Sequence, residues 1–302
     1  MSKNVSALLL EILAEVGVRH IYGIPGDAIN GLIDEIRRQD VIRFVHVRHE
    51  EAGALAASAH AKLTGQLGVC VGTAGPGAIH LLNGLYDAKL DRAPVLAITG
   101  QVETDKLGSR YHQEVDLYTL YKDVAAFNQT VVNPAQLPQM VVHAIQTALA
   151  ERTVAHLSLP IDIATASVPD PERHAVFGVS AETAPCEADL DAAASVLNQA
   201  ERVTMLVGIG ARTAAGEVVA VAEALGAPIV KTLRAKDVIS DDHPLSVGGL
   251  GLLGTEPAVA AIEDADALLM VGTDFPYEDF YPSEARAVQI DLRPEHLGRR
   301  YP

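Results

Sequence analysis

A glutamate at the mouth of a predicted helix, in Arg48-His49-Glu50-Glu51-Ala52, is followed along the chain by Gly72-Thr73-Ala74-Gly75-Pro76-Gly77, which opens the next predicted helix. A carboxyl group entering one helix and a glycine-proline turn entering another place an ionisable side chain beside exposed backbone amides. That pairing suits acid-base work on a bound ligand. Each half also has a plain alternative. A first-turn acid complements the helix dipole whatever its role, and Gly75-Pro76-Gly77 makes a tight strand-to-helix turn with Pro76 pre-set for the first helical position. The company of the two motifs is what favours a ligand site.

Other motifs narrow the chemistry by what they lack. His49-Glu50 matches the start of a His-Glu-x-x-His zinc helix, but Gly53 stands where the second imidazole belongs, which disfavours a zinc protease. Gly72 and Gly77 have P-loop spacing, yet Ala78 and Ile79 occupy the places of the lysine and Ser/Thr that hold phosphate and magnesium. Gly208-Ile209-Gly210 follows a predicted strand and precedes a helix. Thr213 replaces the third glycine, and the next strand ends at Lys231-Thr232 instead of an acid for a ribose, so a standard NAD site fails twice. The two glycines still permit close approach by another nucleotide, and a tight strand-to-helix turn explains them equally well. Gly248-Gly249-Leu250-Gly251-Leu252-Leu253-Gly254 and Gly272-Thr273-Asp274-Phe275-Pro276-Tyr277 are further glycine-bearing loops. The second directly follows a predicted strand, and open parallel sheets bind ligands at the carboxyl ends of their strands. The 11 histidines show no metal-ligand spacing and read mostly as surface residues.

The elements that must position these residues follow from hydrophobic periodicity. Short apolar runs at His20 to Gly23, Ile42 to Val47, Leu67 to Val71, Pro94 to Gly100 and Val154 to Leu159 alternate with predicted helices at 4 to 16, 26 to 38, 50 to 64, 76 to 90 and 135 to 150. The pattern predicts a doubly wound, mainly parallel sheet covered on both faces over residues 1–164. Pro169, Pro171 and Pro185 break the periodicity, so 165–186 reads as a linker. A second α/β pattern fills 187–302, with strands Val203 to Val207, Pro228 to Lys231, Ala267 to Val271 and Ala287 to Ile290, and helices 188 to 200, 213 to 225 and 256 to 263. Another helix is expected after Asp291-Leu292-Arg293-Pro294, so this second domain reads as incomplete. The fold class expected is therefore α/β, with two doubly wound domains.

Composition sets the outer limits. At 302 residues and 49% apolar side chains the chain can bury the cores of two ordinary domains. A net charge of -16 disfavours nucleic acid, whose phosphate backbone is bound by clustered cations. Small anionic cofactors stay open, since helix N-termini bind phosphate without net positive charge. The two cysteines, Cys70 and Cys186, suggest neither a disulfide framework nor a metal site. No apolar run has the length of a membrane span, and Glu11 and Glu15 interrupt the N-terminal apolar helix where a signal peptide would be uncharged. A cytoplasmic protein is the expectation.

Taken in order, Ile24-Pro25-Gly26-Asp27, Arg48-His49-Glu50, Gly72 to Gly77 with His80-Leu81-Leu82-Asn83-Gly84, Pro94-Val95-Leu96-Ala97-Ile98 and Gln113-Glu114 resemble the thiamine diphosphate-dependent decarboxylase family. Thr232-Leu233-Arg234-Ala235-Lys236, Val247 to Gly254, Gly272 to Tyr277, Phe280-Tyr281-Pro282 and Gln289-Ile290-Asp291 resemble its pyruvate oxidase and quinone-linked pyruvate dehydrogenase branch. The resemblance implies a pyrimidine-binding first domain and a flavin-binding middle domain, with thiamine diphosphate, magnesium and FAD as cofactors and a small 2-oxo acid as substrate.

Under the resemblance, Glu50 matches the cofactor-activating glutamate. It hydrogen-bonds a ring nitrogen of the aminopyrimidine and favours the imino tautomer that deprotonates the thiazolium, a role that burial supports by keeping the carboxyl protonated. Pro25, Gly26, Gly75, Pro76, Gly77, Asn83 and Gln113 would line the thiamine site. Gly208, Gly210, Ala211, Arg212, Arg234, Gly249, Leu250, Gly251, Gly254, Thr273, Asp274, Phe275, Tyr277 and Asp291 would line the flavin site. Two departures matter. His112 stands where the branch carries Phe, and no Gly-Asp-Gly with its Asn, the family's magnesium and diphosphate motif, occurs in the chain. The chain thus reads as the N-terminal portion of such an enzyme, inactive by itself and a homo-oligomer when complete. The alternatives are an acetolactate synthase-like carboligase and a non-catalytic flavin-binding or assembly module.

Overall fold

The computed structural model describes residues 3–168 and 184–302, which belong to two compact units. Pro169 and Pro171, with most of the expected linker, lie outside the described residues.

The first unit contains β1 (Lys3–Asn4), β2 (His20–Gly23), β3 (Arg43–His46), β4 (Gly68–Gly72), β5 (Val95–Gln101), β6 (Phe127–Thr130), β7 (Val154–Pro160) and β8 (Ser167–Val168). Six of these form one parallel sheet in the order β3-β2-β4-β5-β7-β6. Every residue of β4, β5 and β7 is buried, as an apolar strand covered on both faces must be. Alternation divides the side chains between two cores. Val69, Val71, Leu96 and Ile98 pack with Leu9 and Leu13 of helix Val5–Glu15 and Ile145 of helix Leu137–Glu151. Cys70, Val95 and Ala97 face Ala54, Ala57, Leu81 and Leu85, from helices Glu50–Thr64 and Pro76–Leu90.

Sequence and structure part company at the edges. The expected helix at 26 to 38 is a short 3-10 turn, Asp27–Ile29, followed by helix Asn30–Arg37. Strand β6 escaped the reading because Phe127-Asn128-Gln129-Thr130 is an edge strand with no apolar run. β8 pairs antiparallel with β1, so the first unit continues past residue 164 into the stretch read as linker.

The second unit contains β9 (Val203–Val207), β10 (Ile229–Lys231), β11 (Ser246–Gly249), β12 (Ala267–Val271) and β13 (Arg286–Ile290), all parallel, in the order β11-β10-β9-β12-β13. β11 was read as part of a glycine loop; it is a strand whose register shifts against β10. The second sheet reverses direction of growth once, between β9 and β12; the first reverses between β2 and β4, and again where β7 enters between β5 and β6. At such a switch point neighbouring loops leave on opposite sides and open a crevice at the carboxyl ends of the strands. Among the described residues no helix is long and apolar enough to cross a membrane.

Candidate functional site

The crevice of the first unit gathers its loops around one carboxyl group. Glu50 is the first residue of its helix, and its side chain is only 10% exposed. Its Oε2 lies 2.9 Å from His80 Nδ1, on the neighbouring helix, so one proton is held between the two groups. The His80 ring stacks on His49, with centroids 4.4 Å apart. His49 caps the Glu50 helix by accepting the Glu51 N–H at Nδ1, 3.3 Å away. The ligand atoms of His49, Glu50 and His80 all lie within 4.8 Å of one another. The imidazole that Gly53 cannot supply along the helix thus comes from the next helix, a juxtaposition that sequence spacing could not reveal.

The glycine turn closes on the same point. Gly75 takes a left-handed φ of 64°, and a β-carbon there would come within 2.9 Å of the Gln113 carbonyl oxygen. A β-carbon on Gly77 would stand 3.3 Å from Glu50 Oε1. Pro76 occupies the first helical position. Gly26 packs against the Thr73 side chain, joining the loop after β2 to the loop after β4. Glu50, Gly26, Gly75, Pro76, Gly77 and Gln113 therefore converge. Pro25 adjoins them on the exposed surface. Asn83 does not reach Glu50; its amide donates to the Glu51 carboxylate. In the loop carrying Gln113, the Glu114 carboxylate accepts the Gly108 and Tyr111 N–H groups, leaving His112 exposed.

A buried polar chain supports the turn from below. Tyr121 donates its hydroxyl to the Ala78 carbonyl, 2.6 Å away in the first turn of the Pro76 helix, and its ring stacks 3.8 Å from His156. Asn128 donates its amide to Tyr118 O, so its Oδ1 faces His156 Nδ1 at 2.7 Å. His156 is therefore the Nδ1–H tautomer, and Nε2 accepts the Thr99 hydroxyl at 2.8 Å. Burial pushes this histidine down to about 3, which keeps it neutral. Burial likewise raises the Tyr121 hydroxyl well above its ordinary value. His156 and His296 are enclosed, exceptions to the expectation that most histidines lie on the surface.

In the second unit a cleft of about 630 Å³ lies at the carboxyl ends of the strands, with Gly249, Leu250, Gly251, Phe275 and Tyr277 among its walls. Sequence reading missed Lys231 and Ser246, which also line it. Lys231 is 2% exposed and donates from Nζ to Ile239 O at 2.7 Å and to Asp241. A lysine closing an apolar strand was the signal available. The Ser246 hydroxyl, also enclosed, has no hydrogen-bond partner among the described residues.

The remaining expected flavin residues do not line this cleft. Gly208 and Gly210 press against the Gly272 backbone, leaving no room for a β-carbon, so part of their close approach serves strand-loop packing. Ala211 is buried beside them, and Arg212 donates to Asp237 at 2.9 Å. Arg234 is exposed in the turn after β10, and Gly254 packs on the Gly249 and Gly251 carbonyls. Thr273 is buried. Asp274 accepts Arg300 Nε at 2.9 Å; burial raises its carboxyl, but Arg300 and Arg299 outweigh that and hold it below its usual range. Asp291 accepts the Arg293 N–H at 2.9 Å and lies 3.1 Å from His296 Nδ1.

Comparison with known proteins agrees with both units. The thiamine pyrophosphate enzyme N-terminal TPP binding domain matches residues 3–120, and the thiamine pyrophosphate enzyme central domain matches residues 190–302. YdaP of Bacillus subtilis (strain 168), provisionally named a thiamine pyrophosphate-containing protein, is 44% identical over 99% of this chain and 53% of its own length. Pyruvate oxidase of Lactiplantibacillus plantarum is 38% identical over 98% of this chain and 50% of its own, and acetolactate synthase of Arthrospira platensis 33% identical over 96% and 53%. The chain spans about half the length of these relatives. With its carboxyl at a glycine turn in one parallel-sheet unit and a second such unit behind it in sequence, the chain belongs to the thiamine pyrophosphate enzyme family, of which it carries the N-terminal and central domains.

Proposed function

We propose that this chain forms part of a pyruvate oxidase or quinone-linked pyruvate dehydrogenase, acting on a small 2-oxo acid, with Glu50 as the cofactor-activating carboxyl. The observation that carries this reading is the enclosure of Glu50 against Gly77 and His80 at the mouth of the switch-point crevice. Glu50 would hold a proton at the ring nitrogen of the aminopyrimidine. The left-handed Gly75 turn would keep the backbone clear for the ring, and the His80 contact would orient the carboxyl. Thiamine diphosphate, when bound, supplies the electron sink for decarboxylation.

Gly249, Leu250, Gly251, Phe275 and Tyr277 would hold the flavin of FAD, since the cleft they line offers glycine backbone and apolar walls. Magnesium is assigned no ligand in this chain. A homo-oligomer in the cytoplasm completes the proposal.

The test is hydrogen-deuterium exchange at the thiazolium carbon of thiamine diphosphate, followed by NMR, with the other half of the enzyme supplied by fusion or in trans. Glu50→Gln should slow protein-stimulated exchange by about 10² to 10⁴, while Glu51→Gln should leave it nearly unchanged. Slow exchange in the Glu51 variant with fast exchange in the Glu50 variant refutes the assignment. The acetolactate synthase relative supports a second reading, a carboligase. Products separate the two: acetate with an electron acceptor for the first, acetolactate for the second.

A further inference from the structure

We infer that His49, Glu50 and His80 form a binding site for a zinc-class divalent transition ion, made by two helices together. Two imidazoles and one carboxylate are the donor set that zinc, cobalt and nickel take in preference to magnesium or calcium, which favour oxygen ligands. The three ligand atoms lie within 4.8 Å of one another. A tetrahedral shell with metal-ligand bonds of about 2.0–2.2 Å needs them at a separation of roughly 3.4 Å. Side-chain rotation can make that adjustment, because the two histidines are half-exposed, at 51% and 41%, while the carboxyl is fixed in place at 10%. The exposed rings leave the fourth position to water. The ion takes the place of the hydrogen bond between Glu50 and His80, whose ligand atoms must be free of protons to bind it, so protons compete with the ion and binding weakens at low pH.

The site differs from the zinc helix suggested by His49-Glu50, since its third ligand comes from another helix, 30 residues along the chain. It also makes zinc an inhibitor of the proposed function. The same carboxyl cannot bind the ion and hold a proton at the aminopyrimidine. This last consequence rests on the assignment of Glu50 under Proposed function; the metal site itself does not.

Cobalt titration of the 302-residue chain tests the site, read by the visible absorption of protein-bound Co²⁺. A Cys186→Ser background removes the exposed thiol as a competing ligand. One Co²⁺ per chain should bind saturably, be displaced by Zn²⁺ and resist excess Mg²⁺. His80→Ala and Glu50→Gln should each weaken binding by at least about tenfold, the scale set by losing one ligand contact. His60→Ala, which alters an imidazole outside the cluster, should bind as the parent does. Circular dichroism confirms that each variant is folded, and the surface position of His80 makes its variant the safer of the two. Absence of saturable binding, or unchanged binding in both His80→Ala and Glu50→Gln, overturns the inference. Thiamine diphosphate titrated in parallel, with the other half of the enzyme supplied by fusion or in trans, separates the consequences. Cobalt binding without competition refutes the shared use of Glu50 and leaves the metal site standing.

Discussion

Acidification from pH 7 to pH 4.5 should destabilise the first unit through the ring of His156. Its folded value is about 3 against an ordinary 6.5, because the ring is fully enclosed between Thr99, Asn128 and Tyr121. The folded value is lowered, so between these two values the unfolded chain binds a proton that the folded chain refuses. Stability from this group is complete above pH 6.5 and is lost as pH falls toward 3. At pH 4.5 the linkage amounts to about 2.5 kcal/mol beyond its value at pH 7. Urea unfolding followed by far-UV circular dichroism, at both pH values, should show this loss in the wild type. His156→Gln, which cannot titrate, should start less stable at pH 7 and lose about 2.5 kcal/mol less on acidification. NMR of the wild-type imidazole provides a second measure that needs no variant. A His156 signal that titrates near 6.5 in the folded protein, or an equal acid loss in the variant, refutes the buried neutral tautomer.

Tyr121→Phe removes the hydroxyl on the Ala78 carbonyl and should cost about 1–2 kcal/mol in urea unfolding, with its acid profile unchanged. Gly251→Val places a side chain at a φ of 111° and a β-carbon 3.4 Å from the Phe275 ring. It should reduce FAD binding in a fluorescence titration, and unchanged affinity would exclude this wall of the cleft. Asp274→Asn should lower stability at neutral pH by loss of the Arg300 pair, as measured by thermal unfolding. Since Asp274 is held below its usual range, the difference from wild type should shrink as pH falls through the ordinary carboxylate value of 3.8.

The main sheets were legible because buried parallel strands carry apolar runs and their helices carry periodic faces. Helices Glu50–Thr64 and Pro76–Leu90 begin and end where the periodicity and the Pro76 signal place them. Polar or glycine-rich strands give no such signal, which is why the periodicity does not reveal β6 and why the end of β11 falls in an expected glycine loop. The convergence of Glu50 with Gly75 to Gly77 could be anticipated from their order along the chain. The contacts of His80 with Glu50, and of Asn83 with Glu51, depend on how two helices face each other across sequence separations of 30 and 32, and spacing carries no information about that. In the second unit, loop identity located the cleft, but Lys231 and Ser246 became visible only when β10 and β11 were paired.

The hydroxyl of Tyr121 on Ala78 separates what can vary from what cannot. The Gly75 turn is anchored from inside the protein, through an aromatic ring seated on the sheet, whereas the Gln113 loop that meets it from outside is held by local bonds to Glu114. Changes in that outer loop, His112 among them, can therefore reshape the approach to Glu50 without disturbing the carboxyl itself. Under the proposed function, selectivity and proton chemistry would then be separately adjustable, one carried by a surface loop and the other by a carboxyl anchored from the interior.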